Sequence, residues 1–220
     1  LLYTRLRVGN MKNVWTNKNS YLSDAKSGDN TLKVDKLWYT FPVGEFKFTV
    51  GALVENYYMV ETPTRYKPIL KAFKLGGYGS VMGASTGQGF GVQWRQNVAP
   101  GKAAWNVAAN YVADGGEGAK SDEGLGMFGD DTDGLFLSQV GYGNRKWYLS
   151  ALYAYKQGED GSTPAMGYST PAASSYDQGL HAFGLRGYWT PEESGLIPTI
   201  SAGIDVGFSD ADAAGSTEAV

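Results

Sequence analysis

The chain has no cysteine and a single histidine, and charged residues make up only 19% of its 220 positions. Without cysteine there is no disulfide framework, no zinc–thiolate centre and no thiol nucleophile. Lys and Arg number 19 against 22 Asp and Glu, a net charge of −3, which is no polycation for nucleic acid. No apolar run approaches the roughly 18 residues that a spanning helix needs, so a transmembrane helix is excluded and a transmembrane β-barrel is not. Helical i, i+3, i+4 patterning is nearly absent.

Glycine and aromatic rings are abundant instead: 31 Gly, roughly twice ordinary usage, with 15 Tyr, 9 Phe and 6 Trp. That richness beside few charges rules out a disordered chain and a coiled coil. The length suits one domain of the all-β or barrel kind, or at most two small ones. No secretory leader opens the sequence, and residues 1–8 already alternate. All 220 residues are therefore expected to form a single β-barrel segment, cut at both ends from a longer protein.

Period-2 alternation predicts nine strands, near 1–9, 33–41, 46–54, 88–95, 103–112, 134–142, 146–155, 179–189 and 198–208. Ten residues at about 3.4 Å each and a tilt of about 45° cover about 24 Å, close to the apolar band of an outer-membrane barrel. The connections then alternate. Short ones carry Pro, Gly or Asn: Pro42–Glu45, Gln96–Lys102, Gly143–Arg145 and Thr190–Gly195. Long ones cover 10–32, 55–87, 113–133 and 156–178. Strict alternation of tight turns and long loops is the pattern of a membrane barrel.

Parity sorts the side chains. Phe46, Phe48, Val50, Ala52 and Val54 are expected on one face of the third strand, with Lys47, Thr49 and Gly51 on the other. Phe90, Val92 and Trp94 oppose Gln93 and Arg95. Trp105, Val107, Ala109 and Tyr111 oppose Asn106, Ala108 and Asn110. Ile200, Ala202, Ile204, Val206 and Phe208 oppose Asp205 and its neighbours, and Leu2, Leu6 and Val8 oppose Arg5 and Arg7. Two strands are ambiguous, because Lys36 shares parity with Trp38 and Leu137 with Gln139. A soluble sandwich would alternate in the same way with its faces exchanged, so parity alone does not choose. Aromatics near the short turns (Tyr39, Phe41, Phe46, Trp94, Trp105, Tyr142, Trp147, Tyr188 and Trp189) resemble a headgroup-depth girdle, although aromatics are also common in any strand.

No motif supports catalysis. Gly83–Gly87 matches G-x-S-x-G, but a nucleophile elbow needs a strand before it, a helix after it and a base, and the only histidine is His181. Gly124–Gly129 matches G-x-G-x-x-G without a strand-to-helix setting. Asp130, Asp131 and Asp133 are a weak Ca²⁺ candidate against the simpler reading of a solvated loop. No cofactor is expected. The longest connection carries Glu55, Glu61, Arg65, Lys67, Lys71 and Lys74. Folded into a barrel lumen it would constrict the pore, and lying over the outer mouth it would leave those charges solvated. Arg5, Arg7, Lys47, Gln93, Arg95, Asn106, Asn110, Arg186 and Asp205 are the expected lumen wall.

Two stretches carry a resemblance. Leu32-Lys33-Val34-Asp35-Lys36-Leu37-Trp38-Tyr39-Thr40-Phe41-Pro42-Val43-Gly44, running into Phe48–Gly51, resembles the outer-membrane porins of cyanobacteria, and so does Leu185–Pro198. That family is related to carbohydrate-selective porins. The resemblance implies passive uptake of sugars, inorganic ions or iron through a barrel of the 16-strand type in the outer-membrane bilayer. It also implies a homotrimer, and attachment to peptidoglycan through an N-terminal surface-layer-homology domain that is not in these residues. Nine strands and the lack of a closing aromatic strand depart from the family pattern and are what a fragment would give. The alternatives are a soluble secreted β-sandwich or lectin-like module, and a non-conducting structural barrel. A distant third is an esterase using Ser85.

Overall fold

The computed structural model describes residues 1–10, 30–61, 86–113, 118–121, 124–129, 132, 134–156, 180–193 and 196–209. The chain is all-β. Nine strands follow one another in a single antiparallel sheet: β1 Leu2–Arg7, β2 Lys33–Val43, β3 Phe46–Glu55, β4 Thr86–Arg95, β5 Ala104–Ala113, β6 Gly134–Gly143, β7 Trp147–Lys156, β8 Leu180–Trp189 and β9 Ile200–Ser209. Each strand pairs with its sequence neighbour, so β1 and β9 are the two edges of the sheet as described. No described helix is long and apolar enough to cross a membrane, which says nothing of strands.

Every predicted strand is present, and boundaries move by up to two residues. At the first short turn, Val43 pairs with Phe46, so Pro42 and Val43 belong to β2 and the turn shrinks to Gly44–Glu45. Gly44 has φ +59°, a left-handed conformation that glycine takes without a Cβ clash. Glu55, expected to open the long connection, ends β3 opposite Thr86.

Three irregularities change which way side chains face. Register shifts fall between Arg5 and Leu6, between Leu37 and Trp38, and between Gly51 and Val54. An extra residue in one strand reverses parity beyond it. Val54 is the correction that follows: it leaves the apolar row of Phe46, Phe48 and Val50 and is fully buried beside Trp38, Met59 and Val112. The two ambiguous strands resolve the same way. Lys36 and Trp38 are both buried, as are Leu137 and Gln139, on the face opposite Phe46, Trp94 and Val107.

Candidate functional site

The register builds two unlike faces. Opposite partners share a face, so Arg95, Asn106, Gly141, Ser150, Arg186 and Gly203 form one row across β4–β9. Lys47, Gln93, Ala108, Gln139 and Leu152 form the next row. Arg186 is 1% exposed, Gln139 2% and Asn106 3%. The other face carries Phe46, Trp94, Val107, Val140, Ala151 and Leu185 in register, with exposed Leu149, Phe183, Ile200 and Ile204 beside them. Asn106, Gln139, Ser150 and Arg186 are thus covered while Lys47 and Arg95 are exposed, and most of the large apolar residues opposite are bare.

The cover comes in part from the start of the longest connection. Residues Asn56–Met59 form a single 3-10 turn that packs on β3, β4 and β5. Asn110 Nδ2 donates to the Asn56 carbonyl at 3.2 Å. Gln139 holds the Glu61 backbone twice, its Oε1 accepting from the amide at 2.7 Å and its Nε2 donating to the carbonyl at 3.1 Å. Arg95 Nη1 pairs with Glu61 Oε1 at 3.0 Å. Under this segment Val60 and Tyr57 pack on an apolar patch of Ala108, Leu135, Leu137, Leu152, Ala154 and Ala182. Gly91 makes the approach possible, because a Cβ there would lie 2.6 Å from Met59 Sδ. Gly141 likewise leaves room for the Tyr148 phenol, which donates to Asn106 Oδ1 at 2.8 Å.

At the β1–β2 edge, Arg5 holds Asp35 through Nε at 2.9 Å and Nη2 at 2.6 Å, and Lys36 pairs with Glu55. The Lys36 ammonium also lies over the Tyr58 ring, 5.3 Å from its centroid. Tyr3 stacks on Trp38 at 4.2 Å, and Tyr58 meets Trp38 edge-on at 5.2 Å. At the turn end, Lys146 pairs with Glu192 across the β6–β7 and β8–β9 turns and holds its carboxyl below the usual carboxylate range.

Of the residues singled out from sequence, Glu55, Glu61, Arg5, Arg7, Lys47, Gln93, Arg95, Asn106, Asn110 and Arg186 lie on or against this polar face. Asp205 takes the register position opposite Gly184, and its side chain lies outside the described residues. Arg65, Lys67, Lys71 and Lys74 also lie outside them, as do Asp130, Asp131, Asp133 and Ser85. Thr86 and Gly87, the last two residues of the G-x-S-x-G match, are the first two of β4, so a strand and not a helix comes after Ser85. Gly124–Gly129 turns on Gly124 and Gly126, at φ +80° and +111°. Among the described residues no group of three or more His, Cys, Asp or Glu could hold a metal ion.

No protein-family model, curated protein or solved structure matches the chain.

Sequence reasoning missed several contributors. Gln139 shares parity with Leu137, Tyr148 carries no signal beyond its parity with Ser150, and in residues 56–60 of the longest connection no charge marks the apolar and amide contacts they make. Tyr188 is the one girdle aromatic that turns the other way. Its ring stacks on Tyr148, 6.0 Å between centroids, and its hydroxyl donates to the Asn144 carbonyl at 2.9 Å. The signal was available, since Tyr188 shares parity with Arg186.

Proposed function

We propose that this chain is a wall segment of an outer-membrane porin, which passes small hydrophilic solutes by diffusion through a water-filled β-barrel. The observation that carries this reading is the inverted exposure of the sheet: Leu149 is 61% exposed and Arg186 1%. In water, burying polar and charged groups while leaving a continuous apolar face bare runs against both terms of burial energetics. With lipid on one side and a polar lumen on the other, both placements are favourable.

Two aromatic belts support it. Near the short turns lie Tyr39, Phe46, Trp94, Trp105, Tyr142, Trp147 and Trp189, where Trp94 turns its indole N–H to Glu45 at 3.1 Å. Near the long connections lie Phe90, Tyr111, Phe128, Phe136, Tyr153 and Tyr155. From Trp147 to Tyr155 is eight residues, about 27 Å along a strand, matching an apolar band about 25 Å tall once tilted. The soluble-sandwich alternative needs a second layer over the apolar face, and all nine strands described belong to one sheet.

The resemblance to cyanobacterial porins gives the expected setting. The intact barrel is of the 16-strand type, a homotrimer in the outer membrane, anchored to peptidoglycan by a domain outside these residues. In this reading the 56–61 segment is the root of a constriction loop, with Arg65, Lys67, Lys71 and Lys74 further along it. The apolar patch under Val60 favours one second reading, a structural barrel filled by its own loop.

Planar-bilayer recording of the full-length protein tests both. Stable open steps are expected, with an anion/cation permeability ratio that falls when the four loop cations become alanine. Silence from inserted, detergent-purified protein would leave the filled barrel, and a protein soluble without detergent would leave the sandwich.

A further inference from the structure

The bare face is not evenly filled. One row across it runs from Phe41 to Phe48, Val92 and Ala109, each the direct cross-strand partner of the one before. Direct partners share a face, so all four point to the same side of the sheet. Side-chain size falls along the row, from two stacked rings 5.9 Å apart to a single methyl group. The neighbouring rows stay large. Trp94 and Val107 stand on the short-turn side, and Phe90, Tyr111 and Phe136 on the long-connection side. Small residues between two ridges leave a trough of about 430 Å³, open to the outside of the sheet.

Phe128 closes the trough at the long-connection end. It meets Tyr111 at 4.9 Å and Phe90 edge-on at 6.2 Å between ring centroids. The turn that carries it is fixed by the buried Thr132, whose Oγ1 donates to the Gly126 carbonyl at 2.7 Å and whose amide donates to Gly129 at 3.2 Å. No charged residue lines the trough among the described residues. Thr49 and Asn110 also border it, but their side chains bond across the other face, to Thr40 Oγ1 and to the Asn56 carbonyl.

These properties select an occupant. An uncharged wall offers nothing to an ionic solute. Twelve residues border the trough, well short of the about 20–30 a side that a stable protein interface uses. The volume is that of a small-ligand site, about 300–1,000 Å³. From β2 to β6 is four strand spacings, about 19 Å, whereas residues two apart along a strand leave a width of about 7 Å. A long, narrow, apolar trough fits a single hydrocarbon chain.

We propose that this trough seats one acyl chain of a membrane lipid, with Ala109 as its floor and Phe128 as its end wall. The proposal rests on the pore reading for the side on which lipid lies, but it can be tested without conductance.

The full-length protein is extracted from dipalmitoylphosphatidylcholine vesicles into detergent, and native mass spectrometry counts the phospholipid it retains. The wild type is expected to keep one lipid. Ala109→Phe, which fills the trough, is expected to lower the lipid-bearing fraction at least about tenfold, as losing the burial of two methylene groups would. Phe128→Ser leaves the strands intact and is expected to lower it at least about threefold, the scale of one aromatic contact. Ala151→Phe, on the bare face outside the trough, is expected to leave it unchanged. Phosphatidylglycerol with the same chains should be kept equally. Dihexanoylphosphatidylcholine, whose chains are too short to fill the trough, should be kept at least about tenfold less. A wild type without lipid, a filled variant that keeps as much as the wild type, or retention that follows the headgroup and not the chain overturns the proposal. So does a dimer that carries no lipid. Conductance of the same preparations separates the two claims. A protein that conducts without retaining lipid loses the trough alone, and one that retains lipid without conducting keeps the trough and loses the pore.

Discussion

Leu185 and Arg186 are consecutive residues of β8, yet the leucine is 57% exposed and the arginine 1%. The same reversal repeats along β5, where Val107 is bare and Asn106 is covered. Only the pleat separates such neighbours, since successive side chains of a strand point to opposite faces. The comparison shows that burial in this protein does not follow hydrophobicity. The covered face is held by directed polar contacts, such as Gln139 on the Glu61 backbone, and by a small apolar patch. On the bare face Phe128, from the connection after β5, packs against Phe90 and Tyr111 at the long-connection end, and side chains such as Val107, Leu149 and Leu185 stand exposed, so the stability of that face depends on the medium it meets.

The sharpest way to break this comparison is to move a charge across the sheet. Val107→Arg, on the bare face in the middle of the sheet, is expected to cost about 2–4 kcal/mol when folding into lipid vesicles is followed by urea titration. No loss would show that this face does not lie in lipid. Next comes the covered face. Gly91→Val places side-chain atoms where Met59 packs and is expected to cost about 1–3 kcal/mol. It would also raise hydrogen exchange at residues 56–61 well before the strands open.

Gln139→Leu leaves the Glu61 amide and carbonyl without their partner, at a cost of about 1–3 kcal/mol. In single-channel recordings it should add current fluctuations if residues 56–61 root a constriction. Arg95→Gln removes an ion pair whose two side chains are 50% and 41% exposed, so a stability change under about 1 kcal/mol is expected. Its readout is a shift of ion selectivity toward cations. The smallest effect lies outside both faces, in the Lys146–Glu192 pair between turns. Lys146 lowers the Glu192 pKa, so the pair's contribution is present above the ordinary value of 4.5 and is lost as pH falls through the lowered one. Glu192→Gln should flatten that acid-side slope of the melting temperature and leave neutral behaviour almost unchanged.

The strands were legible because their cause is local. Alternation over eight to ten residues, bounded by Gly44, Asn144 or Pro191, reads directly as a paired strand and a tight turn. The places of Asn106, Asn110 and Gln93 on the polar face followed from the same alternation. Val54 did not, because a bulge between Gly51 and Val54 reverses parity and leaves no composition signal. Leu137 was also misleading in isolation. An apolar residue in a polar row makes sense only once Val60 and Tyr57, from the start of the longest connection, are seen to lie on that patch.

Sequence alone thus determined where the nine described strands lie, the tight turns between them and the polarity of most of their positions, since each depends on residues within one strand or one turn. Only the tertiary structure decided which polar groups are covered, where the register slips, and which charges pair at β1–β2. Those outcomes depend on contacts between residues far apart in the chain, such as Gln139 with Glu61 and Arg5 with Asp35. No periodicity within a strand encodes such contacts.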